Sequence, residues 1–280
     1  MSIRFVIDSA SDVLPNEGQQ LEVTVLPMQI TFGDVAYCDS VDITHKEFFE
    51  KLAQAQTLPT TSQVPPAVFE DTFRMLVEQG HQVICITLSS GLSGTYQSAM
   101  IAASEFEGQV FVVDSLNATI GERILLMRGM ELAQQGMDAA QIAQQLAQER
   151  SKIRLVAMVD TLEYLKKGGR VSSAAALAGG LLGIEPAIEV KEGKVVTAGT
   201  ARGNKKANSL LESLAENYGG VNMDMPVAFV YAYDTAQLEQ WVAQCPGVWP
   251  SDKPLPAYSL GGTIGTHTGP GAYGVAFFEK

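Results

Sequence analysis

Ser89-Ser90-Gly91-Leu92-Ser93-Gly94-Thr95 puts four hydroxyls and two glycines between an apolar run and a helical pattern. Glycines allow a tight turn there, and hydroxyls with the free amides of a helix start can hold an anion. No lysine follows the glycines, so the phosphate loop G-x-x-x-x-G-K-[ST] is excluded, and the dinucleotide pattern G-x-G-x-x-G fails too. The anion can be a carboxylate; equally, the serines can cap the helix and the glycines turn the corner. Gly91-Leu92-Ser93-Gly94-Thr95 is also one residue short of the nucleophile elbow G-x-S-x-G, with Thr95 at the last glycine. Chain order would allow Ser93, Asp234 and His267 to work as a serine hydrolase on acyl esters, the alternative to a binding site. Thr60-Thr61-Ser62-Gln63 stands before Val64-Pro65-Pro66 and offers capping oxygens at a proline-fixed helix entry. His267, in Gly265-Thr266-His267-Thr268-Gly269-Pro270-Gly271, reads as part of a rigid turn-rich loop, either aimed at an anion or capping a turn. His45 and His81 read as helix-surface or helix-end residues.

No His/Asp/Glu grouping has metal-ligand spacing and no cofactor motif is present, so the reading assigns no metal, no cofactor and no catalytic residue. Cys38, Cys85 and Cys245 are far apart without a C-x-x-C pair, as expected of small buried side chains in a reducing compartment. Nineteen Lys and Arg against 31 Asp and Glu give a net charge of −12 over 280 residues. A protein this acidic repels nucleic acid and anionic lipid as a whole. The first residues reach Asp8 after a short apolar run, unlike a signal peptide. The uncharged, apolar-rich stretch Val171–Ile184 is too short and too rich in Gly and Ala for a bilayer that needs about 20 apolar residues. A soluble, cytoplasmic protein without stable membrane insertion is expected.

The elements that must position these groups alternate. Ile3–Ile7, Gln82–Thr87 and Val110–Val113 read as buried strands, each ending in turn chemistry. Helical patterns over His45–Ala55, Ala67–Gln79 and Thr95–Glu105 lie among them. That alternation predicts an α/β fold whose N-terminal domain is a doubly wound parallel sheet, with functional groups at the carboxyl ends of its strands. Asp8, Ser90 and Asp114 fall there. Helices over Ile120–Gln135 and Asp138–Glu149, the latter capped by Asp138, close this half. Beyond a strand over Arg154–Val159 and a helical segment at Leu162–Leu165, Ala187–Val190 and Lys194–Thr197 flank Lys191-Glu192-Gly193 as a hairpin. A helix over Arg202–Tyr218 and strands at Val227–Tyr231 and Gly274–Phe278 complete a mixed α/β C-terminal domain. The boundary is set at 152, giving domains 1–152 and 153–280. Residues 1–152 carry 19 acids and 8 bases, and residues 153–280 carry 12 and 11. Within Arg150–Lys206 there are 11 bases against 5 acids, either solvated surface or a face that docks an acidic partner or a phosphate.

Together these pieces resemble the DegV family of bacterial fatty-acid-binding proteins, over about Ile3 to Phe278. Five motifs carry the likeness in order: DSASD (Asp8–Asp12), TTSQ (Thr60–Gln63), SSGLSGTYQSA (Ser89–Ala99), LKKGGRVS (Leu165–Ser172) and THTGPGA (Thr266–Ala272). The resemblance implies a lipid-binding carrier and not an enzyme, with a long-chain fatty acid in a tunnel between two α/β domains, serving lipid transport or fatty acid metabolism. It implies that Thr61 and Ser93 hold the carboxylate, with His267 in the same network. It further implies that the carboxylate is presented to a fatty-acid kinase, the partner whose docking face includes Arg170 and Arg202. Three places depart from the family pattern. Glu185 stands where a lysine is frequent, Thr200-Ala201 replaces a basic-hydrophobic segment before Arg202, and Asn117–Glu122 lacks a second glycine. The carboxylate positions are intact, whereas the docking face is altered. Physical chemistry accommodates this reading: a buried carboxylate is costly alone, and hydroxyl donors at a helix start reduce that cost.

Overall fold

A computed structural model describes residues 2–171, 183–244 and 256–280. In chain order its strands are β1 (Ile3–Asp8), β2 (Val23–Leu26), β3 (Gln29–Phe32), β4 (Val35–Cys38), β5 (Thr60–Ser62), β6 (Gln82–Thr87), β7 (Val110–Asp114), β8 (Ile153–Met158), β9 (Glu185–Lys191), β10 (Lys194–Ala201), β11 (Ala228–Tyr231), β12 (Ala257–Ser259) and β13 (Tyr273–Phe278). Its helices are α1 (Pro15–Leu21), α2 (His45–Gln54), α3 (Pro66–Glu78), α4 (Thr95–Ala103), α5 (Thr119–Gln134), α6 (Ala139–Glu149), α7 (Glu163–Lys167), α8 (Asn204–Asn217), α9 (Ala236–Gln244) and α10 (Gly262–Thr268). Cys245 and most of the Val171–Ile184 stretch, including Ser172 of the LKKGGRVS motif, lie outside the described residues.

The N-terminal strands form a parallel sheet in the order β2-β1-β6-β7. Continuous apolar runs suit this sheet because both of its faces are covered. Phe5, Ile7, Ile84 and Ile86 pack on one face with Ile120 and Ile124 of α5 and Ile142 and Leu146 of α6. Val6, Val83 and Cys85 pack on the other with Phe69 and Phe73 of α3 and Ala99 and Ala102 of α4. The order reverses between β1 and β6, so the crevice of a doubly wound sheet opens at their carboxyl ends. Asp8 ends β1 there and accepts the Leu88 amide at 2.8 Å, which ties β1 to the start of the serine-rich loop. Asp138 caps α6 as its sequence predicts, in a reciprocal pair with Gln141.

The second sheet is mixed, in the order β10-β9-β8-β13-β11-β12. Here the strands alternate. Leu155, Ala157, Ile188, Val190, Ala276 and Phe278 point toward the parallel-sheet half. Val156, Met158, Ala187, Val275 and Phe277 point away, onto Ala207 and Leu211 of α8 and Leu238 and Trp241 of α9. The predicted hairpin is present, turning at Glu192-Gly193, and its strands run longer than expected.

Two segments differ from their sequence reading. Thr60–Ser62 is a strand, not only a helix entry: β5 pairs with β3, and β3 with β4, in a small antiparallel sheet. His267 sits on a helix, α10, and not in a turn-rich loop. Glycine at 262 and 265 obscures that helix in the sequence, yet serves its packing. A Cβ at Gly265 would lie 2.7 Å from the Phe48 ring and 2.9 Å from the Phe49 ring, so only glycine lets α10 press on α2.

Candidate functional site

A cavity of about 370 Å³ lies between the carboxyl ends of the parallel sheet and the inner face of the mixed sheet. That size is ordinary for a small-molecule site. Its inner walls are apolar and buried: Leu155, Ala157 and Val159 along β8, Ile188 and Val190 on β9, with Val230 and Leu260. Its other end is polar and reaches the surface, where exposed Ser62 and Gln63 meet Thr61, Ser93, Arg170 and His267. One face of alternating strands supplies the apolar walls, and the ends of β5 and β6 and of α7 and α10 supply the polar mouth.

Three residues singled out in the sequence converge here. β5 brings Thr61, the loop before α4 brings Ser93, and α10 brings His267. Thr61 Oγ1 lies 3.1 Å from His267 Nε2. Ser93 Oγ lies 2.9 Å from Thr95 Oγ1 and accepts the Thr95 amide at 3.3 Å, so it caps α4 as well as lining the cavity. Burial and the nearby Arg170 charge push the His267 pKa down to about 4. The imidazole is therefore neutral at pH 7 and acts by hydrogen bonding. With the proton on Nε2 it donates to Thr61 Oγ1, which frees the threonine O–H to donate into the cavity. Among the described residues His267 Nδ1 has no hydrogen-bond partner, and a Cβ at Gly168 would lie 2.2 Å from it. The first glycine of LKKGGRVS thus makes room for the imidazole.

Arg170 stands apart from its sequence reading. It was expected on a partner-facing surface; its half-buried side chain lines the cavity, with Nε 3.3 Å from the Leu92 carbonyl and a terminal nitrogen 2.6 Å from that of Gly168. Arg202 is exposed and does not line the cavity. The serine-hydrolase alternative is not assembled. His267 Nε2 bonds Thr61 and not Ser93, no acid orients Nδ1, and exposed Asp234 accepts the Ala236 amide at the start of α9. Among the described residues no three His, Cys, Asp or Glu side chains gather as a metal site, and no helix is long and apolar enough to cross a membrane.

Sequence reasoning passed over the groups that hold α10 in place. Asp12 Oδ1 accepts the Gly261 amide at 2.8 Å, and Asp39 accepts those of Gly262 and Thr263 at 3.2 and 3.1 Å. Ser9 donates to Asp39 at 3.1 Å and takes the Met28 amide at 3.0 Å. The DSASD motif is therefore a clamp on the helix that carries His267. Thr119, which lines the cavity, donates to Asp12 from a left-handed backbone (φ +47°), a strained conformation for a β-branched residue. His45, read as a helix-surface or helix-end residue, opens α2 but is buried, and joins Ser40 at 2.9 Å to Ser259 at 2.7 Å. The signal for these contacts was thin: DSASD stood out as a motif, but Asp39 and Ser259 lie in unremarkable sequence.

Comparison with known proteins agrees with this architecture. The family model described as "Uncharacterised protein, DegV family" matches residues 2–280. A DegV domain-containing protein of Deinococcus radiodurans is 35% identical over 277 residues, covering 99% of this chain and 98% of that one. Among solved structures, a fatty-acid-binding DegV family protein of Thermus thermophilus superposes with a TM-score of 0.89 at 34% identity, covering 100% of both chains. A stearic-acid-binding protein of Eubacterium ventriosum superposes with a TM-score of 0.89 at 29% identity, covering 100% of this chain and 99% of that one.

Proposed function

The chain belongs to the DegV family, and from that premise we propose that it is a carrier that binds a long-chain fatty acid in the cavity between its two sheets. The observation that carries this reading is the polarity of the cavity: buried aliphatic walls inward, and a cluster of neutral hydrogen-bonding groups with one arginine at the mouth. An acyl chain gains from leaving water along the inner walls, about 0.8 kcal/mol per methylene. Its carboxylate needs donors, and Thr61, Ser93 and His267 supply them beside the Arg170 charge. Denaturing solvent extraction followed by mass spectrometry is expected to release close to one long-chain fatty acid per chain. An empty protein that also takes up no added fatty acid overturns the reading.

The carrier presents that carboxylate to a fatty-acid kinase in the cytoplasm, and bases of the 150–206 stretch, Arg170 and Arg202 among them, contribute to the docking face. Residues 1–152 and 153–280 are its two domains, which limited proteolysis near residue 152 would separate. Arg202 is exposed and clear of the cavity, so Arg202→Ala is expected to leave fatty-acid occupancy unchanged while slowing phosphorylation by such a kinase, more strongly at low salt than at high salt. Arg170→Ala is expected to slow the same reaction and also to weaken binding, because its side chain lines the cavity. Phosphorylation at an unchanged rate in both variants would remove the kinase from the reading.

A further inference from the structure

The fatty-acid cavity has a neighbour of about 350 Å³ on the far side of a thin partition. Three pieces of chain build that partition, and each contributes to both sides. In the loop before α5, Asn117 lines the second cavity and Ala118 the first. Along β8, Ile153 lines the second and Leu155 the first, two residues and roughly 6–7 Å apart on one face of the strand. On β9, Val190 lines both. The register explains its position. Val156 pairs with Glu189, so Val190 lies beside Leu155, at the step where one cavity gives way to the other.

From this geometry we infer that Val190 is a specificity-determining residue, which limits the length of the acyl chain the main cavity accepts. The inference rests on the fatty-acid reading above. The side chain is buried and belongs to the apolar core on that face, so a chain growing along β8 from the polar mouth meets it before any polar group of the second cavity. Val190→Ala removes two methyl groups from the partition and opens the way past Leu155. Val190→Phe enlarges the partition from the same position.

The test offers the purified protein an equimolar mixture of saturated acids from myristic to behenic and reads the bound pool by mass spectrometry. Each methylene newly taken out of water is worth about fourfold in affinity. Val190→Ala is therefore expected to raise arachidic and behenic acid at least about tenfold relative to palmitic acid. Val190→Phe is expected to shift the pool to shorter chains than the unaltered protein holds. Melting temperatures confirm that both variants are folded, and the opposite signs keep the test decisive should one of them fail to fold. A pool identical to that of the unaltered protein, at full occupancy, overturns the partition. An unaltered protein that holds no fatty acid at all overturns the fatty-acid reading instead, and the inference with it.

Discussion

Replacing Thr61 with Val and Ser93 with Ala together is expected to weaken fatty-acid binding by about two to three orders of magnitude while leaving the protein folded. A hydrogen bond to a charged group contributes roughly 1.5–3 kcal/mol, so each hydroxyl alone is worth about 10- to 150-fold. The two effects should fall short of additive, because both hydroxyls act on one carboxylate. Each substitution also has a structural cost that must be separated from binding. Ser93 Oγ caps the α4 start through the Thr95 amide, and its loss costs about 1 kcal/mol of stability. Thr61→Val takes away the partner that His267 Nε2 has among the described residues, leaving a half-buried imidazole with neither nitrogen bonded to protein, at up to about 1–3 kcal/mol. Melting temperature measured on ligand-free protein reads those costs, and titration with a fluorescent or isotopically labelled fatty acid reads the binding loss. A double variant that melts lower but binds as before would show that these hydroxyls are caps only and that the head group lies elsewhere.

That experiment addresses residues the sequence brought forward; others had to wait for the fold. β1, β6 and β7 were legible because strands covered on both faces need uninterrupted apolar runs, as in Phe5-Val6-Ile7 and Val83-Ile84-Cys85-Ile86. The small sheet β4-β3-β5 was not. Its strands are three or four residues long, and Thr60-Thr61-Ser62 carries hydroxyls that suit a helix entry equally well. α10 escaped for a related reason. Glycine is a poor helix former, and Gly265 reads as the start of a turn-rich loop until Phe48 and Phe49 are seen pressing against it. The place of Arg170 at the cavity mouth was not legible either, because only the fold brings it against Leu92 and beside His267. The Asp12–Asp39 clamp joins residues more than 200 positions apart to α10, a relation that no local pattern carries. Motif spacing located the chemistry, and the long-range amide contacts of two aspartates explain why the chemistry stays in place.

Buried acids set the second large effect. Glu122 on α5 is fully buried, and among the described residues neither carboxylate oxygen has a hydrogen-bond partner. Burial, with Asp8, Asp12 and Asp114 nearby, holds its pKa well above the ordinary carboxylate range. Burial likewise raises Asp8 and Asp12 to about 7, against the pull of their amide and hydroxyl donors. A raised carboxyl pKa means that folding takes up a proton wherever the unfolded acid is ionised and the folded one is not. The stability these groups permit is therefore whole below about pH 4 and is lost as pH rises through about 7. His267 works the other way: lowered to about 4, it costs stability as pH falls from 6.5 toward 4. Between pH 6 and 7 the three acids outweigh the histidine, and stability is expected to fall as pH rises. Glu122→Met isolates the strongest contributor, since it keeps the side-chain length and removes an acid that pairs with nothing. The variant is expected to melt higher than the unaltered protein, and the gap should widen with pH. One proton no longer taken up is worth about 1.4 kcal/mol per pH unit, so the difference grows at up to that rate for as long as Glu122 stays protonated in the fold. Urea denaturation at pH 5, 6.5 and 8 reads it directly. A gap that is constant across those three values would mean that Glu122 is already ionised in the fold at pH 5, and would overturn the raised pKa.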